Sequence, residues 1–298
     1  MGEQAPHARH SYGGQAVMEG VMMRGRDVWA VAVRRPDRSV HVESHGIRSI
    51  AARHPVFGKP GLRGVIALGQ ALSIGVKALA ISANQASPED QQLSSRQMAM
   101  SMVLAFGIFV AVFIVGPAVA FRWVGRHVSS SILVNALEGV FRVALFLGYL
   151  VLIGRTREIR RVFEYHGAEH KTIAAYEHAE PLIPERVDRY STLHVRCGTN
   201  FLLIVMVLTI LVFALFGDPG IWWRIGSRLL AVPVIAGLAF EMLRLGARYE
   251  RSALMRALMA PGLWLQRITT RPPGREQIEV AIASFNEVLR REAEPVEA

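Results

Sequence analysis

Residues 98–121, MAMSMVLAFGIFVAVFIVGPAVAF, contain no charged side chain, and this run constrains the fold of the 298-residue chain more than any other feature. A helix rises ~1.5 Å per residue, so a run of this length crosses a hydrocarbon core of ~30 Å. It predicts a transmembrane helix. The apolar residues elsewhere are also bunched into blocks, in a chain that is 51% hydrophobic with a mean hydropathy of +0.28. Residues 131–153 are apolar apart from Glu138 and Arg142, and follow closely enough to return as a hairpin partner. Residues 200–216, NFLLIVMVLTILVFALF, form a third block, and residues 229–245, which carry Pro233, Glu241 and Arg244, a fourth. The expectation is a mainly α, polytopic membrane protein with about four transmembrane helices.

Positively charged flanks stay on the cytoplasmic side, which sets the orientation. Arg155, Arg157, Arg160 and Arg161 crowd the exit of the second block, and Arg248, Arg251 and Arg256 follow the fourth. The loops 122–130 and 217–228 hold two arginines each. This places both termini and the 154–198 loop inside, in a multi-pass protein of a bacterial cytoplasmic (inner) membrane. No cleavable signal sequence is expected before the first span, since residues 1–97 lack a short apolar core behind a basic patch. The one cysteine, Cys197, falls on the reducing side, where a structural disulfide is not expected. The net charge of +10 fits attraction to anionic lipid headgroups. A nucleic-acid partner is disfavoured, because there is no basic stripe with interleaved aromatics.

The regions divide as follows. Residues 1–12 read as a disordered tail. Residues 13–60 read as a small β-containing cytoplasmic unit, with a hairpin around Pro36-Asp37 joining VWAVAV to VHVES. Residues 61–97 form a linker whose helical stretch 62–82 carries Gln70 and Lys77, so it is expected to lie in the interface or against the bundle; a crossing would put the N-terminal unit outside, away from the histidine-rich loop. Residues 98–245 form the transmembrane domain, including the 154–198 loop. In residues 246–298, Pro261-Gly262 are expected to break the chain, Trp264 offers an interfacial anchor, and Ile278, Ile282, Phe285 and Leu289 mark an amphipathic helix over 275–291.

Chemistry concentrates in the inner loop, which holds four of the ten histidines. If residues 157–178 are helical, His166 and His170 of YHGAEHK sit one turn apart on the face carrying Ile159, Val162, Phe163 and Ile173. Two imidazoles so spaced can share a zinc ion, and Glu169 stands beside them to act as general base on a metal-bound water. The order His-x-x-Glu-His matches the inverted zincin pattern. HVRCGTNF supplies His194 and Cys197 as further ligand candidates, and either or both would complete a divalent-metal site, most simply of zinc.

Other polar groups have structural readings beside functional ones. Glu138 and Arg142, four apart in the second block with Asn135 nearby, form either a functional intramembrane pair or an ion pair that fixes helix packing. In GGQAVMEGVMMRG, Glu19 either reaches the histidine-rich loop or pairs with Arg24 or Arg26.

GGQAVMEGVMMRG, FGKPGLRG, YHGAEHK, RCGTNF and APGLWLQRITT together resemble the YqhQ-like family of bacterial membrane proteins, a domain of unknown function to which metal-dependent enzyme activity is ascribed. The resemblance covers nearly the whole chain from Gly13 and implies functional roles for Gln15, Glu19, His166, Glu169, His170 and Cys197. The functional expectation is a metal-dependent hydrolase acting on a substrate the sequence does not name. A nonenzymatic membrane scaffold that recruits a protein partner, or a small transporter centred on Glu138 and Arg142, are the competing readings.

Overall fold

A computed structural model of the chain describes residues 12–47, 59, 62–128, 130–214, 221–249 and 252–294. The expected tail, except Tyr12, lies outside the described residues, as does most of 48–61, the end of the expected β-containing unit. Tyr12 itself is anchored: its hydroxyl donates to Glu292 Oε2 at 2.9 Å, and its ring meets Tyr176 edge-on.

The N-terminal unit is a four-stranded antiparallel sheet in the order β1 (Gly13–Val17), β2 (Gly20–Arg24), β3 (Val28–Arg34), β4 (Val40–Gly46). The expected hairpin is β3–β4, with Asp37 Oδ1 accepting from both the Ser39 N–H and hydroxyl in its turn. The glycine-rich segment folds as a second hairpin, β1–β2, closed by the pair Val17 and Gly20. VWAVAV is apolar at every position because both faces of β3 are covered. One face, with Val21, Met23, Ala30 and Ala32, joins a core built from two helices described below. The other, with Val17, Met22, Trp29, Val31 and Val33, receives Ile74 and Ala78 of helix α1 (Leu62–Gln85).

The remaining principal helices are α2 (Ser95–Val124), α3 (Ser131–Ile153), α4 (Arg157–Glu177), a short α5 (Pro184–Val187), α6 (Gly198–Ala214), α7 (Ile221–Arg248), α8 (Ala253–Thr269) and α9 (Arg275–Ala293). Ser94 starts α2 with a reciprocal cap through Gln97. A π-helical segment, Ala111–Val115, interrupts the same helix.

Among the described residues three helices are long and apolar enough to cross a membrane: Arg63–Gln85, Ser95–Val124 and Ile132–Ile153. The last two match the first two expected spans. The third expected span corresponds to α6, whose described part is shorter, and the fourth to α7, which is long but interrupted by charge. Helix α1 meets the criterion although Gln70 and Lys77 pointed to the interface. Its packing is mixed: Arg63 pairs with Glu241 and Gly64 abuts Gly237 of α7, while its later turns lie on the sheet. The sheet in turn packs directly on α4, so it shares a side with the histidine-rich loop.

The expected break at Pro261-Gly262 does not occur, since α8 runs through both. Proline costs one helical hydrogen bond, and the burial of Met259, Leu265 and Gln266 around it offsets that loss. Gly262 is required by close approach, because a Cβ there would fall 2.1 Å from Asn200 Oδ1. The C-terminal amphipathic helix forms as read, with Ile278, Ile282 and Phe285 buried. Their partners are the sheet and α4, and Ser284 Oγ donates to Ala30 O at 3.0 Å.

Candidate metal centre

Helix α4 carries both histidines of YHGAEHK. Thr156 caps its first turn, accepting from the Ile159 N–H at 3.4 Å. From Gly167 to Ile173 every residue is buried, because the sheet, α9 and the returning chain cover different faces. Gly167 permits the closest of these approaches: a Cβ would sit 2.1 Å from Arg271 O. Lys171 is buried and reaches Asp188, donating to its carboxylate at 2.7 Å, which fixes the chain leading to HVRCGTNF.

His166 Nδ1 lies 2.8 Å from Thr269 O, and His170 Nδ1 lies 2.5 Å from Thr192 O. A carbonyl only accepts, so both Nδ1 atoms carry hydrogen and each Nε2 presents its lone pair, the form in which imidazole can ligate a metal. The rings stand 4.4 Å apart. His166 Nε2 is 3.2 Å from Cys197 Sγ. One ligand atom each from His166, His170 and Cys197 lie within 4.8 Å of one another. His170 is 1% exposed, its Nε2 is buried without a hydrogen-bond partner among the described residues, and burial lowers its pKa.

Cys197 precedes the first turn of α6, and its sulfur receives the Thr199 N–H at 3.4 Å, at the partly positive end of the helix. The turn is held from α8. The fully buried Gln266 accepts from the His194 N–H at 2.8 Å and donates to His194 O at 2.8 Å, while Asn200 Nδ2 donates to Val195 O at 2.7 Å. Gln266, Thr269 and Thr192 were not singled out by residue-type reasoning. Gln266 and Thr269 lie within LWLQRITT, so the motif carried the signal without the role.

The two candidates in HVRCGTNF have different places. Cys197 joins the cluster. His194 stands beside it, with its ring 5.7 Å from that of His170, its Nε2 3.3 Å from Glu177 Oε2, and its Nδ1 accepting the Arg196 N–H. Glu169 is buried and makes no ion pair among the described residues. Burial raises its carboxyl above the ordinary range, with His166 and His194 pulling the other way. Its side chain lies against β1, where a Cβ on Gly14 would fall 2.8 Å from Glu169 Oε1. His166, Glu169, His170, His194 and Cys197 all line a cavity of about 300 Å³ whose opposite wall is Gly13–Ala16 of β1.

Gln15 also lines this cavity, but its amide reaches α1: a Cβ on Gly75 would be 2.4 Å from Gln15 Oε1. Glu19 pairs with neither Arg24 nor Arg26. Its carboxylate takes both Nε and Nη2 of Arg161 at 2.5 Å, and lies 3.3 Å from Tyr165 Oη. Arg24 instead donates to Gln70, and Arg26 pairs with Asp27. Glu19 thus ties the β1–β2 turn to α4. Glu138 and Arg142 meet at 2.6 Å, and Arg142 also donates to Ile114 O in the π-helical segment. With Asn135 they line a separate cavity of about 70 Å³ between α3 and α6.

The family described as "Protein of unknown function (DUF1385)" matches residues 59–291. The uncharacterized protein YqhQ of Bacillus subtilis (strain 168) is 36% identical over 297 residues, covering 95% of this chain and 93% of that one. No solved structure matches. The relative's match covers nearly the whole chain and the family model covers YHGAEHK, RCGTNF and APGLWLQRITT, and the chain belongs to the DUF1385 family.

Proposed function

We propose that this is a multi-pass protein of the bacterial cytoplasmic membrane that holds a divalent metal at its cytoplasmic face and hydrolyses an amide, ester or phosphate bond there. His166 Nε2, His170 Nε2 and Cys197 Sγ are the ligands. The observation that carries the reading is His170 Nε2, a buried acceptor without a well-formed hydrogen bond among the described residues, in a cluster whose other donors are a second Nε2 and a thiol sulfur. Leaving such an atom unsatisfied costs ~1–3 kcal/mol, which metal ligation would remove. Two imidazoles and a sulfur are a donor set that zinc favours.

Three protein ligands facing a cavity are the arrangement of catalytic sites, which keep one position open. When bound, zinc supplies Lewis acidity and makes a water acidic enough to lose its proton near neutral pH. Glu169 lines the same cavity and would serve there as the general base. Thr269 and Thr192 hold the imidazole tautomers, and Gln266 holds the turn that presents Cys197. The membrane-face location rests on chain geometry: α4 begins four residues after α3 ends, and α6 begins directly after Cys197.

The test is metal analysis of protein purified in detergent under reducing conditions. Wild type is expected to carry about one equivalent of metal, His170→Ala to lose it, and Glu169→Gln to keep it. Wild-type protein without stoichiometric zinc, iron or manganese overturns the reading.

A further inference from the structure

The strand that walls the candidate site is also an edge of the sheet, unpaired on its outer side among the described residues. In the order β1-β2-β3-β4, β1 has a neighbour on one side only. Val17 and Gly20 flank a two-residue turn, so they form a hydrogen-bonded pair. The Arg34 N–H donating to Glu19 O at 2.8 Å places β2 in the same alternation on its other side. It follows that Val17, Gln15 and Gly13 turn their main-chain groups to β2, while Ala16 and Gly14 turn theirs outward. Among the described residues no hydrogen bond reaches the N–H or C=O of Gly14 or Ala16 on that edge.

Gly14 and Ala16, which carry the outward groups, line the 300 Å³ cavity that holds His166, Glu169, His170 and Cys197. Gly13 and Gly14 are exposed and carry no side chain to block an approaching backbone, and nothing stands within 4 Å of a Cβ built on Gly13.

We propose that this edge binds an extended polypeptide as an added strand, held by the two N–H and two C=O groups of Gly14 and Ala16. The bound chain lies ~4.8 Å from β1, beside the histidines and Cys197. Built on the hydrolytic reading above, this names the substrate class as an unfolded polypeptide segment. Its cleavage is amide hydrolysis: the water oxygen bonds to the carbonyl carbon, the C–N bond breaks, and the proton taken up by Glu169 passes to the leaving nitrogen. The unpaired main-chain donors and acceptors favour a peptide over a lipid, which cannot pair with them in register.

The experiment measures anisotropy of a fluorescein-labelled decapeptide of alternating valine and serine, against full-length Glu169→Gln protein in detergent, so that no turnover intervenes. A counterpart methylated at every amide nitrogen tests the main-chain bonds. The parent peptide is expected to bind at least about tenfold more tightly than the methylated one, since several hydrogen bonds are lost together. Adding Ala16→Pro removes an outward N–H while sparing the ladder to β2, and is expected to weaken binding about fivefold to tenfold. Equal binding of the two peptides overturns the proposal even if the proline variant fails to fold.

His170→Ala separates this proposal from the metal reading. Discrimination between the peptides is expected to persist without the metal, because the edge does not depend on it. Stoichiometric metal with no discrimination overturns the strand site alone. Discrimination in a wild-type protein that holds no metal overturns the hydrolase and leaves the strand site standing.

Discussion

The sheet with α4 and α9 uses the same apolar residue types as α2 with α3, but exposes them in opposite ways. In the first region Val21, Tyr165, Ile278 and Phe285 are buried, and of the charged residues of α4 only Glu169 and Lys171 are buried with them. In the second, Val103, Leu104 and Phe106 of α2 are 72%, 66% and 68% exposed, and none of the most apolar stretch of α2 is buried. In water, exposed apolar surface costs ~25 cal/mol per Å². A helix that leaves so much of it uncovered fits a hydrocarbon surround, in which apolar burial no longer drives helices together. Close approach must then hold the helices, as where Gly139 of α3 meets Ile210 of α6. The candidate site lies where the two regimes meet, with ligands on the buried helix α4 and at the start of the apolar helix α6.

The largest effect that tests this contrast is one substitution made in both regions. Phe285→Ala removes a fully buried ring, and is expected to cost ~3–5 kcal/mol. Phe106→Ala is expected to cost less than ~0.5 kcal/mol, because the ring makes little contact with protein. Thermal unfolding in detergent reads both. Similar losses at the two positions would break the comparison.

A charge reverses the ranking. Phe106→Arg places a guanidinium in the middle of α2, where insertion into hydrocarbon costs ~2.5–3.5 kcal/mol. Val42→Arg, at an exposed position of β4, is expected to change little. The fraction of protein retained in membranes after alkaline extraction should fall for the first and hold for the second. An unchanged α2 variant would show that this helix does not lie in lipid.

Features governed by local periodicity were legible in the sequence. The chargeless run, the β3–β4 hairpin, the amphipathic C-terminal helix and the i,i+4 placement of His166 and His170 all follow from spacing along one element. Choices between partners were not. Whether Cys197 or His194 faces the histidines depends on Glu177, which draws His194 aside from 17 residues away. The wall opposite Glu169 is Gly14, far back in the sequence, and its role as a close approach has no local signature. Helix α8 continues through Pro261, against its local propensity, with Met259, Gly262, Leu265 and Gln266 packed on its inner side. Helix α1 is ambiguous for a physical reason, since it is apolar enough to span yet spends its later turns on the sheet.

Glu19 shows how a local reading and a tertiary one can be separated at the smallest scale. Its φ of 48° lies in the left-handed region, where a residue with a Cβ is strained by roughly 1–2 kcal/mol. Glycine would relieve that strain, so the carboxylate must repay it if the position is to favour glutamate. The pair it forms with Arg161 is bidentate but 40% and 27% exposed on its two sides, which limits its value to ~1 kcal/mol. Glu19→Gln keeps the strain and loses the charge, and is expected to destabilise by about 1 kcal/mol. Glu19→Gly loses the pair but releases the strain, so its net change is expected to be near zero. Arg24→Gln and Arg26→Gln should leave the effect of Glu19→Gln unaltered, because neither arginine reaches it. Arg161→Gln should abolish most of it in a double-mutant cycle. If glycine proves the more damaging substitution, the clamp between sheet and α4 is stronger than its exposure implies, and the boundary between the two regions is held more tightly than solvent screening allows.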